Sequence, residues 1–69
     1  MENVTIRDDY IKLGQLLKLS GLVGSGTDAK FVITEGLVEV NGKVELRRGK
    51  KIYPGDIVTY EGDSIKVVK

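Results

Sequence analysis

The hydrophobic period of this chain changes from helical to alternating at Gly36, and that change restricts the fold more than any other feature. Before it, in "IKLGQLLKLSGLV", Leu13, Leu16, Leu17 and then Ser20 recur at helical spacing, while Lys12, Gln15 and Lys18 share an outward side. This predicts a helix of about two to three turns. It tolerates Gly14, which weakens a helix by roughly 1 kcal/mol relative to alanine, and Gly21 is placed to end it. Ser25 followed three residues later by Asp28 fits a capping box. A second helix is therefore expected from about Gly26 or Thr27 to Glu35, with Ala29, Val32 and Ile33 inward and Gly36 as its stop.

After Gly36 apolar and polar residues alternate, as half-buried strands require. In "LVEVNGKVELR", Asn41-Gly42 between alternating runs is a strong hairpin signal. A two-residue loop would set Val40 opposite Lys43 and put the apolar residues of the two strands on different faces. A three-residue connection, or a bulge near Lys43, pairs Val40 with Val44 and Val38 with Leu46, and is the expected arrangement. A turn at Gly49, a "YPGD" turn at Tyr53 to Asp56, a strand with Val58 and Tyr60 on one face, and a closing strand with Ile65 and Val67 follow. At the amino end, "NVTIR" reads as a short strand through Val4 and Ile6. The expected class is α+β: two short helices packed on a small, twisted, mostly antiparallel sheet of about five strands.

Sixty-nine residues suffice for one small core, and a single domain over residues 1–69 is expected. The chain has neither cysteine nor histidine, so disulfides, thiolate or imidazole metal sites and the commonest catalytic base are all missing. No covalent chemistry and no cofactor are expected. Asp8 and Asp9 do not make a catalytic pair, because neighbours in an extended segment face opposite sides. The amino terminus lacks the basic and apolar blocks of a signal peptide, and a cytoplasmic protein is expected.

"GLVGSGTDAK", Gly21 to Lys30, imitates a phosphate-binding loop, but Thr27 and Asp28 stand where the motif needs its lysine and its metal-binding hydroxyl. The glycines are better read as a tight turn between two helices. Charge is more informative. Overall it is only +1, yet "KVELRRGKK", Lys43 to Lys51, sets five basic residues against one acid, a local +4 that leaves −3 for the other sixty residues. Such a segment suits attraction to a polyanion and equally suits a solvated loop guarding a sheet edge.

The order "IKLGQLLKLSGLVGSGTDAKFVITEGLVEVNGKVELRRGKKIYPGDIV" resembles the RNA-binding domain first described in ribosomal small-subunit protein four, the alpha-L motif, over about residues 11 to 60. The most specific parts are "SxxxAKxxIxxGxVxVNGK" and the "GD" before a strand. The short length, leading strand and "RRGKK" look most like its stand-alone bacterial subgroup, the YaaA/YbcJ type. The resemblance implies RNA binding without catalysis, with the two helices forming the binding face. Lys12 and Lys18 match basic positions of the first helix, and Ser25, Lys30, Asn41 and Lys43 match directly. Gly26 replaces a frequent arginine and Gly14 the aspartate of the opening motif.

The candidate RNA-binding set is then Lys12, Lys18, Ser25, Thr27, Lys30, Lys43, Arg47, Arg48, Lys50 and Lys51. Abundant cations with few aromatic residues suit phosphate and shape reading of folded RNA. Phe31 is expected to be a partly buried packing residue. The function expected is binding of structured, ribosomal RNA by a monomer in ribosome assembly or maintenance. The alternative is a protein-interaction module whose basic loop meets an acidic partner.

Overall fold

In the computed structural model, which describes all 69 residues, both helices end before Gly36, where the sequence predicts the change of period, and only strands follow it. Strand β1 (Glu2–Thr5) leads through a short strand β2 (Ile11–Lys12) into helices α1 (Leu13–Leu19) and α2 (Gly26–Thr34). Five strands follow: β3 (Val38–Val40), β4 (Lys43–Val44), β5 (Lys51–Ile52), β6 (Ile57–Tyr60) and β7 (Asp63–Val68). The main sheet has the order β1-β7-β6-β3-β4 and is antiparallel except for β1, which runs parallel to β7.

One cluster of 13 buried apolar residues joins the helices to the sheet. Leu13, Leu16 and Leu17 of α1 and Ala29, Val32 and Ile33 of α2 meet the inward residues of the sheet, Val38, Val40, Val58, Ile65 and Val67. This is the face assignment that periodicity predicted. The Ser25 hydroxyl caps α2 by accepting a hydrogen bond from the Asp28 amide at 3.1 Å.

Three expectations are corrected. Lys12 does not ride on a helix beside Gln15 and Lys18: it lies in β2, which forms a separate two-stranded ribbon with β5, Ile11 opposite Ile52 and Lys12 opposite Lys51. Tertiary pairing with a distant segment outweighs the local helical pattern there. The hairpin takes the two-residue loop, pairing Val40 with Lys43 and Glu39 with Val44. Asn41 and Gly42 both have positive φ, 52° and 83°, the conformation whose twist matches the flanking strands. Val44 and Leu46 are consequently 56% and 58% exposed and pack over the bare backbone of Gly36 rather than in the core. Phe31, finally, is 61% exposed.

Candidate nucleic-acid interface

Helix α1 begins without a side-chain cap and without an acid in its first turn. Its leading N–H groups still need acceptors. They find them in the basic loop: Leu13 N donates to the Lys50 carbonyl at 2.9 Å and Gly14 N to the Arg48 carbonyl at 3.0 Å. The segment that the sequence marks as cationic is thus the cap of α1, bound through its backbone, which leaves its side chains free to project. Gly14 makes the approach possible. A β-carbon there would stand 2.7 Å from Arg48 Cγ, closer than side chains pack.

That docking assembles a shallow cleft from three separate parts of the chain. Lys12 and Lys18 come from the α1 region, Lys30 and Thr27 from α2, and Arg48 from the loop; Gly14 and Gly26 also line it, and no acidic residue does. A β-carbon at Gly26 would lie 4.0 Å from Lys18 Nζ, in ordinary contact, so the Lys18 ammonium reaches the start of α2. Asp28 lies outside the lining. Four cations without a carboxylate form a field that concentrates anions, and the separated ammonium groups and one guanidinium suit contact with several phosphates along a backbone.

The other candidates fall elsewhere. Ser25 is engaged as the helix cap. Lys43 lies at the hairpin, outside the cleft. Arg47, Lys50 and Lys51 line a second, smaller groove with Gly49 and Tyr53, so the loop presents cations on both of its sides. Arg47 is partly neutralised there: its Nε lies 2.9 Å from Glu45 Oε2, and its backbone amide donates to the same oxygen at 3.0 Å. The Arg47 side chain, by donating hydrogen bonds to it, holds the Glu45 carboxyl below its usual range. Asp9 is likewise lowered by the Lys69 ammonium, which donates to it at 2.9 Å. A neighbouring depression that includes Arg7, Asp8 and Asp9 carries mixed charge and offers a polyanion no comparable attraction.

Sequence reasoning missed the structural partners of the site. Asn41 Nδ2 donates to Asp56 Oδ1 at 3.0 Å while Asn41 Oδ1 accepts from the Ile57 amide at 2.9 Å, so the hairpin turn is clamped to the "YPGD" turn. Gly14, legible as a helix weakener, carries a usable signal of its own: a glycine inside a helix marks a close approach.

Comparison with known proteins gives one family for this arrangement. The family model described as the S4 domain matches residues 4–68. RlbA of Bacillus subtilis (strain 168), named as a probable ribosome maturation protein, is 44% identical over 59 residues, covering 86% of this chain and 83% of that one. The provisionally named RNA-binding protein YbcJ of Escherichia coli (strain K12) is 46% identical over 59 residues, covering 86% and 84%. The solution structure of YbcJ, described as revealing an alpha-L motif involved in RNA binding, superposes with a TM-score of 0.77 at 40% identity, covering all of this chain and 89% of the other.

Proposed function

This chain belongs to the S4 domain family, and on that premise we propose that it is a non-catalytic RNA-binding protein that docks its acid-free cleft on structured ribosomal RNA during ribosome assembly or maintenance. The observation that carries the reading is the convergence of Lys12, Lys18, Lys30 and Arg48 on one cleft from segments far apart in sequence. Folding brings four like charges together at an electrostatic cost, which a polyanion offsets when it binds. The provisional RNA-binding name of YbcJ and the ribosome-maturation name of RlbA support RNA, and ribosomal RNA in particular.

Binding proceeds by release of counterions as lysines and arginines take up phosphates, with the rigid helix pair supplying shape. Thr27 adds a hydroxyl at the cleft wall. The protein acts as a monomer of one domain, in the cytoplasm. A double-stranded DNA reader is disfavoured because neither helix displays a run of base-reading side chains on its exposed face.

Crosslinking in cells, sequencing of the attached RNA and fractionation of ribosomes from the same lysate test the proposal. Enrichment of defined ribosomal RNA sites in subunit or precursor fractions is expected. Crosslinked RNA at background, with an acidic protein copurifying instead, would overturn it in favour of a protein-interaction module. In vitro, changing Arg47, Arg48, Lys50 and Lys51 together to alanine is expected to weaken binding at least about tenfold, or ~1.4 kcal/mol, in a variant that stays folded.

A further inference from the structure

The ribbon formed by β2 and β5 has an outer face that the cleft alone does not explain. Its inward pair is Ile11 and Ile52, with Ile52 in the core and Ile11 packed against it. Alternation then places Lys12 and Lys51 directly opposite each other on the outside. Like charges in that relation destabilise a ribbon. One residue further along the same alternation stand Tyr10 and Tyr53, whose rings lie 5.8 Å apart at 49° to each other. The Lys51 ammonium sits over the Tyr10 ring, 4.9 Å from its centroid. Tyr53 is 48% exposed and forms one wall of the groove lined by Arg47, Lys50 and Lys51.

Resting on the RNA-binding reading above, we infer that this face is a stacking platform for an unpaired base. The base lies on the Tyr53 ring, and Lys50 and Lys51 hold the phosphates on either side of it. Lys51 fixes the Tyr10 ring, which backs Tyr53 as a second aromatic surface. Lys12 belongs to both the cleft and this outer face, so the two sites are continuous. The RNA therefore presents a folded element to the helices and, next to it, a nucleotide out of its stack. An apolar peptide segment is the poorer occupant, since the groove offers Tyr53 alone among hydrophobic side chains, flanked by three cations. The nearby acids do not reverse that field: Glu45 offsets only Arg47, Asp56 is engaged by the Tyr53 amide and Asn41, Asp9 is paired with Lys69, and none of these, nor Asp8, lines the groove, where Lys50 and Lys51 remain.

The test uses three synthetic RNA hairpins of identical stem: one blunt, one with unpaired nucleotides at both ends, and one with the same extensions made abasic so that every phosphate is retained. The full chain is expected to bind the base-bearing extension about tenfold tighter than the abasic one, the scale of one base stacked on an aromatic ring. Tyr53→Leu, which keeps apolar bulk without the aromatic face, is expected to bring the two within about twofold, while Tyr53→Phe retains the preference. Equal affinity of the wild-type chain for base-bearing and abasic extensions overturns the platform and leaves the cleft standing. A preference that survives in Tyr53→Leu overturns it too. Failure to bind any of the three hairpins removes the RNA-binding reading itself, and the platform with it.

Discussion

The backbone of Gly14 lies directly beneath the side chain of Arg48: its amide donates to the Arg48 carbonyl at 3.0 Å, and a β-carbon on it would stand 2.7 Å from Arg48 Cγ. One contact thus both caps α1 and sets an arginine into the cleft. By helix propensity alone, Gly14→Ala gains about 1 kcal/mol. The crowding outweighs this, since forcing an extra carbon into a tight site costs roughly 1–3 kcal/mol. The variant is expected to unfold at lower urea concentration and to bind RNA several-fold more weakly, with its largest amide shifts in the loop around Arg48. A more stable Gly14→Ala protein with unchanged loop resonances would refute the relationship.

Asn41 and Asp56 clamp two turns that are 15 residues apart in sequence. Asp56 also accepts from the Tyr53 amide at 2.8 Å, and Asn41 holds a positive φ that alanine adopts poorly. Each single change to alanine is expected to cost about 1–2 kcal/mol in urea denaturation. The double variant should cost less than the two added together, because the shared bond can be broken only once. Strict additivity would mean that the clamp contributes nothing.

The ion pair of Glu45 and Arg47 gives a pH dependence of defined sign. Hydrogen bonds from the Arg47 side chain lower the folded-state value of Glu45. The unfolded chain therefore binds that proton more readily, so the pair stabilises above the unfolded value of about 4.3 and loses its effect as pH falls through the folded one. Arg47 is 71% exposed and screened by solvent, which keeps the contribution small. Glu45→Gln is expected to lower the thermal midpoint slightly at neutral pH. At pH below the folded value, where Glu45 is protonated in both states, the two proteins should be alike.

Position relative to the cleft should govern the salt dependence of RNA binding. Alanine at Lys12, Lys18, Lys30 or Arg48 is expected to reduce the slope of log affinity against log salt by about 1 for each phosphate that is no longer neutralised. Lys43→Ala, at the hairpin outside the cleft, should leave the slope within about 0.3 of the wild type. A slope reduced as much by Lys43→Ala as by Lys30→Ala would show that net charge, not placement, drives binding.

Much of this architecture is legible in the unfolded chain. Leu13, Leu16, Leu17, Ala29, Val32 and Ile33 declare their buried faces by spacing alone, and Ser25 declares the start of α2, because those features depend on neighbours within one helical turn. Asn41-Gly42 declares a hairpin for the same local reason. Its register escapes that reasoning, because hydrophobic pairing takes no account of the side-chain bonds from Asn41 to Asp56 and Ile57 or of the resting place of Val44 and Leu46 over Gly36.

Residue order alone therefore sets the class of the fold, the helix faces and an uneven distribution of charge. Which of those charges act together is settled in three dimensions. Lys12, Lys18, Lys30 and Arg48 meet because two α1 amides lacked acceptors and the loop carbonyls supplied them. The same pairing of β2 with β5 brings Tyr10 to Tyr53. Periodicity records whether a side chain faces the core or the solvent. It carries no information on which distant segment completes a bare helix end, because that choice is made by hydrogen bonds that close only when the chain has folded.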